Sequence, residues 1–320
     1  MAIWTRRRRR TDDAAPREVD WLRAARILEL RSRREASGAF TGLYASAFRG
    51  GGMVFEESRP YVPGDDVRRM DWNALARTGQ SFVKHFHDER DRTLELVLDA
   101  SASMAFRGGA TNPANTAARV AALLAAAAAR AGDRVGIVTF DETARRTRRP
   151  LRGVAHREGL VESLAQAAAG AAGGADVDDA LDVLQRDVAS EAIVFVISDF
   201  RRTTAIDDAF EAPRRLAGLC ARHDVACIVI EDPRLAALPD VGRIRLADPE
   251  RPGARVLVES GDPGFRARYA AAARARRRTL ERALRRAGSD VVFVQTDRDP
   301  LRALVRFFRQ RAARTGGRPA

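Results

Sequence analysis

Residues 94–104 read LELVLDASASM, and the fold turns on how that stretch is interpreted. Leu94, Leu96, Val97 and Leu98 form a short apolar run broken by one charge, Glu95, the pattern of a strand buried on both faces of a parallel sheet. The run ends at a carboxylate. From there Asp99, Ser101 and Ser103 alternate with Ala100 and Ala102, placing an acid and two hydroxyls at the carboxyl end of the strand, where open α/β sheets hold their ligands. Hard oxygen donors of this kind suit Mg²⁺. The same residues also suit a purely local role, because Asp and Ser side chains make turn and cap hydrogen bonds to nearby backbone.

Downstream the chain alternates. RVGIVTF (134–140) and AIVFVIS (192–198) are further buried strands, and the second again ends in an acid, Asp199. Residues 225–230 and 290–295 read as strands as well, and 143–148 is β-like. Helical spacing covers 115–131, 156–168, 176–188, 206–222 and 265–287, with a glycine-rich loop at 170–175. Such alternation predicts an α/β fold: a doubly wound, mostly parallel sheet with helices on both faces. Its order by analogy is 3-2-1-4-5-6, with 94–98 as strand 1, so both edges of that strand are occupied by later strands. Residues 233–262, with VGRIRLAD and ARVLVES, interrupt the alternation as a small β excursion. Residues 300–311 close the domain as a helix with Leu301, Leu304, Val305 and Phe308 inward, and 312–320 reads as a frayed tail.

Upstream, 1–15 reads as a disordered basic arm and 19–34 as an amphipathic helix. Residues 50–90, GGGMVFEESRPYVPGDDVRRMDWNALARTGQSFVKHFHDER, carry a strong turn signal at Pro63, Gly64, Asp65 and Asp66. A short helix over 67–77 and a strand over 81–87 are expected there. Arg59, Asp65, Asp66, Arg68, Asp71 and Arg77 crowd opposite charges around Tyr61 and Trp72. A structural ion-pair cluster explains them, since no nucleophile or matched base accompanies the acids. The segment is expected to wrap the 94–311 domain as a largely extended layer anchored by Tyr61 and Trp72, without pairing with 94–98. His85 and His87 share a face at strand spacing, but zinc needs two further ligands. His156, at the start of its helix, reads as a surface residue.

The 320 residues allow one large domain or two ordinary ones, and 45% hydrophobic residues is normal for a packed core. The formal charge is +13, almost all of it from arginine, with Lys84 the only lysine. That bias attracts acidic partners. No nucleic-acid-binding motif or aromatic-interleaved basic stripe accompanies it, so nucleic acid is not the expected partner. Cys220 and Cys227 read as reduced packing residues. No segment reaches the ~18 to 20 apolar residues of a membrane span. Arg6, Arg7, Arg8, Arg9 and Arg10 precede Thr11, Asp12 and Asp13 instead of an apolar segment, so a cytoplasmic protein is expected, with peripheral contact to anionic lipid open through the arginines.

The order strand, DxSxS, helix, strand, glycine-rich loop, strand, Asp resembles the von Willebrand factor A domain with its metal-ion-dependent adhesion site. RPYVPGDDVRRMDWNALARTGQSFVKHFHDER followed by DASASM is similar to the bacterial domain-of-unknown-function family number fifty-eight, over residues 50–311 and including Glu231, Asp232, Pro233 and Arg234. By that resemblance Asp99, Ser101 and Ser103 form the first metal loop and Asp199 the third. The second departs: Gly173, Gly174, Ala175 and Asp176 stand where such domains offer a threonine, so any Mg²⁺ site is expected to be weak. The resemblance also implies a partner, a MoxR-type AAA+ ATPase with its client protein. A non-enzymatic adaptor is then the leading expectation. A metal-dependent hydrolase, with a Mg²⁺-activated water near Asp99 and Asp199, and a scaffold with a vestigial metal site are the alternatives. No P-loop, nucleophile elbow or strand-end histidine favours the hydrolase.

Overall fold

The computed structural model describes residues 31–32, 34–48, 53–62, 70–88, 92–105, 112–141, 144–169, 176–188, 190–201, 212–247 and 253–315. In chain order these hold α1 (Gly38–Ala47), β1 (Met53–Pro60), α2 (Trp72–Thr78), β2 (Phe82–Asp88), β3 (Thr93–Asp99), α3 (Pro113–Ala131), β4 (Arg134–Phe140) and β5 (Ala144–Leu151). Then follow α4 (Val154–Ala169), α5 (Val177–Asp187), β6 (Ile193–Ser198), α6 (Leu216–Cys220) and β7 (Asp224–Glu231). The chain closes with β8 (Arg243–Ala247), β9 (Arg255–Glu259), α7 (Pro263–Arg286), β10 (Asp290–Gln295) and α8 (Pro300–Thr315).

The main sheet has the order β10-β7-β6-β3-β4-β5. All neighbours are parallel except β5, which folds back antiparallel on β4. Numbered along the chain this is the 3-2-1-4-5-6 arrangement expected from the alternating pattern, with β3 at its centre.

Every residue of β3 and β6 is buried, and alternate residues serve opposite faces. Leu94, Leu96, Leu98, Phe195 and Ile197 pack with α1, α3, α4 and α8. Val97, Val194 and Val196 pack with α5, α6 and α7. Glu95 is also fully buried; its in-register neighbour on β4 is Gly136, which adds no side chain to the crowded position. The helices start and stop on side-chain and backbone signals. Asn112 caps α3 by accepting the Asn115 N–H, and Gly132 ends it in the left-handed conformation at φ 86°.

At the amino ends of the strands a charged network joins the outer helices to the sheet. Tyr44 on α1 donates to Asp133 Oδ2 at 3.0 Å, and Arg92 donates to both Asp133 oxygens at 3.3 and 3.2 Å. Arg311 on α8 pairs with Asp224 and Asp290 and lies over the Phe48 ring, 4.5 Å from its centroid.

Several expectations need correction. The helix expected over 19–34 lies almost wholly outside the described residues, whereas Gly38–Ala47 forms a helix that the glycines at 38 and 42 concealed. Its signal was the i, i+4 series Phe40, Tyr44 and Phe48, all buried. Within 50–90, the described residues form β1 and β2, which pair with each other as a separate antiparallel sheet, with α2 between them in the chain. β2 does not pair with β3, as expected. Trp72 is no anchor, being 59% exposed on the first turn of α2. Of the helix expected over 206–222, residues 206–211 lie outside the described residues, and the described part is helical only over α6, after the turn that follows Pro213. The last helix runs to Thr315, past the expected start of the tail. His156 is half-buried, its Nε2 2.7 Å from the Val135 carbonyl oxygen, and is not a free surface residue.

Two stability predictions follow from this packing. Val196→Ala and Ile197→Ala open cavities on opposite faces of β6, and each is expected to cost about 2 to 4 kcal/mol in urea unfolding. His223, before β7, is only 6% exposed and neither ring nitrogen has a hydrogen-bond partner among the described residues. Burial first, then the Arg222 charge, holds its pKa below the ordinary 6.5, with Glu191 opposing. A depressed histidine pKa means that the folded state resists protonation. The stability this residue contributes is therefore intact above pH 6.5 and lost as pH falls below it. His223→Leu should lose less stability between pH 7 and 5 than wild type, compared by thermal melts.

Candidate functional site

Because β3 and β6 are parallel neighbours with Leu98 level with Ile197, Asp99 emerges beside Ser198 at the carboxyl end of the sheet. Asp99 is 5% exposed. Its Oδ1 accepts the Ser101 N–H at 2.9 Å, and its Oδ2 accepts the Ser198 hydroxyl at 2.6 Å. The first bond is an Asx turn, which bends the chain after β3 and turns Ser101 and Ser103 back beside each other, Oγ to Oγ 3.1 Å. The Ala100 N–H donates to the Phe140 carbonyl at 2.8 Å and ties this bend to β4.

The loop after β6 repeats the device. Asp199 Oδ1 accepts the Arg201 N–H at 3.0 Å, and the Arg201 Nε lies 3.7 Å from Asp199 Oδ2. Ser198 Oγ in turn accepts the Phe200 N–H at 2.8 Å. Between them Phe200 takes φ 50°, a left-handed conformation that costs a non-glycine residue about 1 to 3 kcal/mol. The strain is held by burial of the ring in the apolar layer and by Arg276, whose Nη2 donates to the Phe200 carbonyl at 3.1 Å.

Electrostatically the centre of the site is Asp99. Burial raises its pKa from 3.8 to about 7, and the nearby Asp199 charge pushes in the same direction, against the hydrogen bonds from Ser198 and Ser101. The Asp199 charge thus acts on a carboxylate that has two hydroxyls in the bend beside it. Among the described residues no three His, Cys, Asp or Glu side chains gather as a metal cluster, so the donor set is two carboxylates plus hydroxyls. These donors fit a hard cation such as Mg²⁺, which would relieve the repulsion between Asp99 and Asp199. Asp99, Ser101 and Ser103, with Asp199 beside them, would hold it, and it would supply open coordination positions for an incoming oxygen ligand.

Ser198 was not anticipated. Its position immediately before Asp199, at the end of an apolar run, was the available signal. Gly173, Gly174 and Ala175, expected as the second loop, lie outside the described residues, and Asp176 caps α5 by accepting the Asp178 N–H at 2.9 Å. Of the signature residues, Gly64, Asp65, Asp66 and Arg68 also lie outside. Asp71 caps α2 through bonds from the Asn73 and Ala74 N–H groups, both at 3.1 Å. Arg77 is exposed in the last turn of that helix, Arg59 sits in β1 level with Val83, and the Tyr61 N–H donates to Ser81 at 2.9 Å. These bonds all lie within the β1–α2–β2 segment itself.

The fold and site define an α/β, doubly wound domain with an acid-and-hydroxyl loop at the carboxyl end of its central strand. Residues 57–279 match the family described as Protein of unknown function DUF58, and the chain belongs to that family. Uncharacterized proteins from Mycobacterium bovis and Mycobacterium tuberculosis are 36% identical over 297 residues, covering 92% of this chain and 91% of theirs. One from Mycobacterium avium is 33% identical over 167 residues, 52% of this chain and 94% of its own length. Among solved structures, BatB from Bacteroides thetaiotaomicron is similar with TM-score 0.43 and 14% identity, over 69% of this chain and 99% of its own. A von Willebrand factor type A protein from Catenulispora acidiphila has TM-score 0.39 and 16% identity, over 75% of this chain and 45% of its own. Among the described residues no helix is long and apolar enough to cross a membrane.

The raised pKa of Asp99 makes a prediction for metal-free protein. A carboxyl whose folded pKa stands near 7 rather than 3.8 binds its proton more tightly when folded, so its contribution to stability falls as pH rises between those values. Asp99→Asn cannot ionise and should flatten that part of the profile, gaining on wild type as pH rises from about 4 to about 7. Parallel chemical denaturation profiles of the two proteins would contradict the assignment.

Proposed function

We propose that this protein is a non-enzymatic interaction module, an adaptor working with a MoxR-type AAA+ ATPase and its client. In this reading Asp99, Ser101, Ser103 and Asp199 hold Mg²⁺, and a carboxylate of the partner completes the ion's coordination. The observation that carries it is the convergence at one sheet end of a buried carboxylate, a pair of hydroxyls and a second acid, in the DxSxS arrangement that resembles a metal-ion-dependent adhesion site. Membership of the family supports the ATPase as partner, through the association that the sequence resemblance implies.

The placement of bases favours binding over hydrolysis. His156 meets Val135 near the amino end of β4 and His223 precedes β7, so both lie at the opposite end of the strands from Asp99. Mg²⁺ prefers six oxygen ligands and keeps several waters, which leaves room for a partner's Asp or Glu. With Ala175 offering no side-chain oxygen, the ion alone is held weakly and the partner tightens it. Metal and partner then strengthen each other by the same factor.

Titration calorimetry on wild type, Asp99→Ala, Ser101→Ala and Ala175→Thr, with and without Mg²⁺, against a MoxR-type ATPase captured from the native host with tagged protein tests this. Asp99→Ala should abolish the Mg²⁺ dependence of ATPase binding while the fold stays intact, and Ala175→Thr should strengthen metal binding. Affinity unchanged by chelator and by Asp99→Ala would sink the adhesion-site reading. Mg²⁺- or Mn²⁺-dependent phosphatase or nuclease activity lost in Asp99→Ala would establish the hydrolase instead.

A further inference from the structure

The β8–β9 hairpin lies outside the main sheet, and one long edge of β9 faces no other strand among the described residues. β8 and β9 pair antiparallel with Ile244 level with Val258 and Leu246 level with Val256. The Ser260 N–H donates to the Gly242 carbonyl at 2.7 Å, which fixes the parity of the ladder. Because N–H and C=O of one residue point to the same side, Val256 and Val258 turn theirs toward β8. Arg255, Leu257 and Glu259 turn theirs outward. Of these outward groups, the Glu259 carbonyl meets a long turn bond from the Asp262 N–H at 3.4 Å, which leaves it a second lone pair. Val256 and Leu257 are 61% and 63% exposed, large apolar side chains on an open edge.

We infer that this edge is a self-association surface, on which β9 of one copy pairs antiparallel with β9 of a second copy about a two-fold axis at Leu257. The strand reads RVLVE, and run against itself it is complementary at each position. Leu257 meets Leu257, Val256 meets Val258, and Arg255 meets Glu259 on both sides of the axis. The parity is also right. The outward N–H and C=O groups of Leu257 exchange two hydrogen bonds across the axis, and those of Arg255 and Glu259 exchange two more at each end. The ladders join as a four-stranded sheet in which Val256 gains an apolar neighbour and Glu259, already 3.2 Å from Arg243 Nε, lies between two guanidinium groups. A closed two-fold contact of this kind uses the same patch on both copies.

The contrast with β5, one of the two outer strands of the main sheet, sharpens the assignment. Its sequence ARRTRRPL sets arginine against arginine in most self-pairings and loses a donor at Pro150, the usual defences of an edge. β9 has neither defence, and its two end charges attract. Two five-residue strands bury little area, so a reversible dimer of modest affinity is expected, below the size of a permanent interface.

Sedimentation velocity on the full chain, from low micromolar to several hundred micromolar, reads the association. Wild type should show a reversible monomer–dimer equilibrium. Leu257→Pro deletes an outward N–H and leaves the bonds to β8 in place, and should abolish the dimer. Arg255→Glu and Glu259→Arg each set like charges opposite one another and should weaken it about tenfold or more. An equimolar mixture of those two variants is complementary at both ends, and should associate as wild type does, which a merely misfolded hairpin would not. A wild type monomeric throughout, a dimer indifferent to Leu257→Pro and the charge changes, or a mixture that fails to recover would each overturn the inference.

Discussion

A strand with all of its side chains buried has to deliver its chain back toward water at its end, and β3 does so through a carboxylate. Asp99 is the last residue of that strand and is still buried, so its oxygens must find donors locally. The Ser101 N–H and the Ser198 hydroxyl supply them, one from its own loop and one from the neighbouring strand. Those two bonds set the bend that puts Ser101 beside Ser103. On the β6 side, Ser198 also receives the Phe200 N–H, which helps to hold that residue in its left-handed conformation. The candidate site is thus a consequence of how the central strands terminate.

The two ends of the sheet handle buried charge differently. At the amino ends, Asp133, Asp224 and Asp290 each meet an arginine, Arg92 or Arg311, and the same arginines hold the carboxyl end of α1 through the Phe48 and Ala47 carbonyls. Acids there are neutralised by cations that the fold supplies, and the arrangement is structural. Burial raises the pKa of acids at both ends, but Arg92 and Arg311 oppose it at Asp133 and Asp224, whereas at Asp99 the Asp199 charge adds to it and only neutral donors oppose it. A buried acid held by neutral donors is an arrangement that an external cation can complete, and the proposed Mg²⁺ site rests on it.

Membership of the family rests on a match that runs from within β1, through every strand of the main sheet but β10, to most of α7. Within that span the two hairpins are separate small sheets added to the six-stranded core. One follows the glycine-rich stretch before the signature, and the other follows the short 3₁₀ turn Pro233–Leu235 after β7. Both add strand edges beyond those of the core, and edges govern what a sheet protein meets.

The sequence by itself determined the alternation of strands and helices, the central place of β3, the parallel sheet order and the acids at the ends of β3 and β6. These are legible because doubly buried strands leave unbroken apolar runs and because right-handed crossovers restrict the topology. It also supplied Asp99, Ser101 and Ser103 through the DxSxS string at a strand end, and the resemblance to the von Willebrand factor A metal site added Asp199 to them. The tertiary structure alone decided what lies beyond local pattern. The partnership of Ser198 with Asp99 joins residues 99 positions apart and depends on the register of β3 and β6. The helix at Gly38–Ala47 exists because Phe40, Tyr44 and Phe48 find a buried surface made by distant segments, which outweighs two helix-weakening glycines. Trp72, which the sequence offers as an anchor, is left in solvent because the Asp71 cap starts α2 with that side chain facing outward. The outward parity of Arg255, Leu257 and Glu259 is set by one hydrogen bond between Ser260 and Gly242, a fact of pairing that no spacing of apolar residues records.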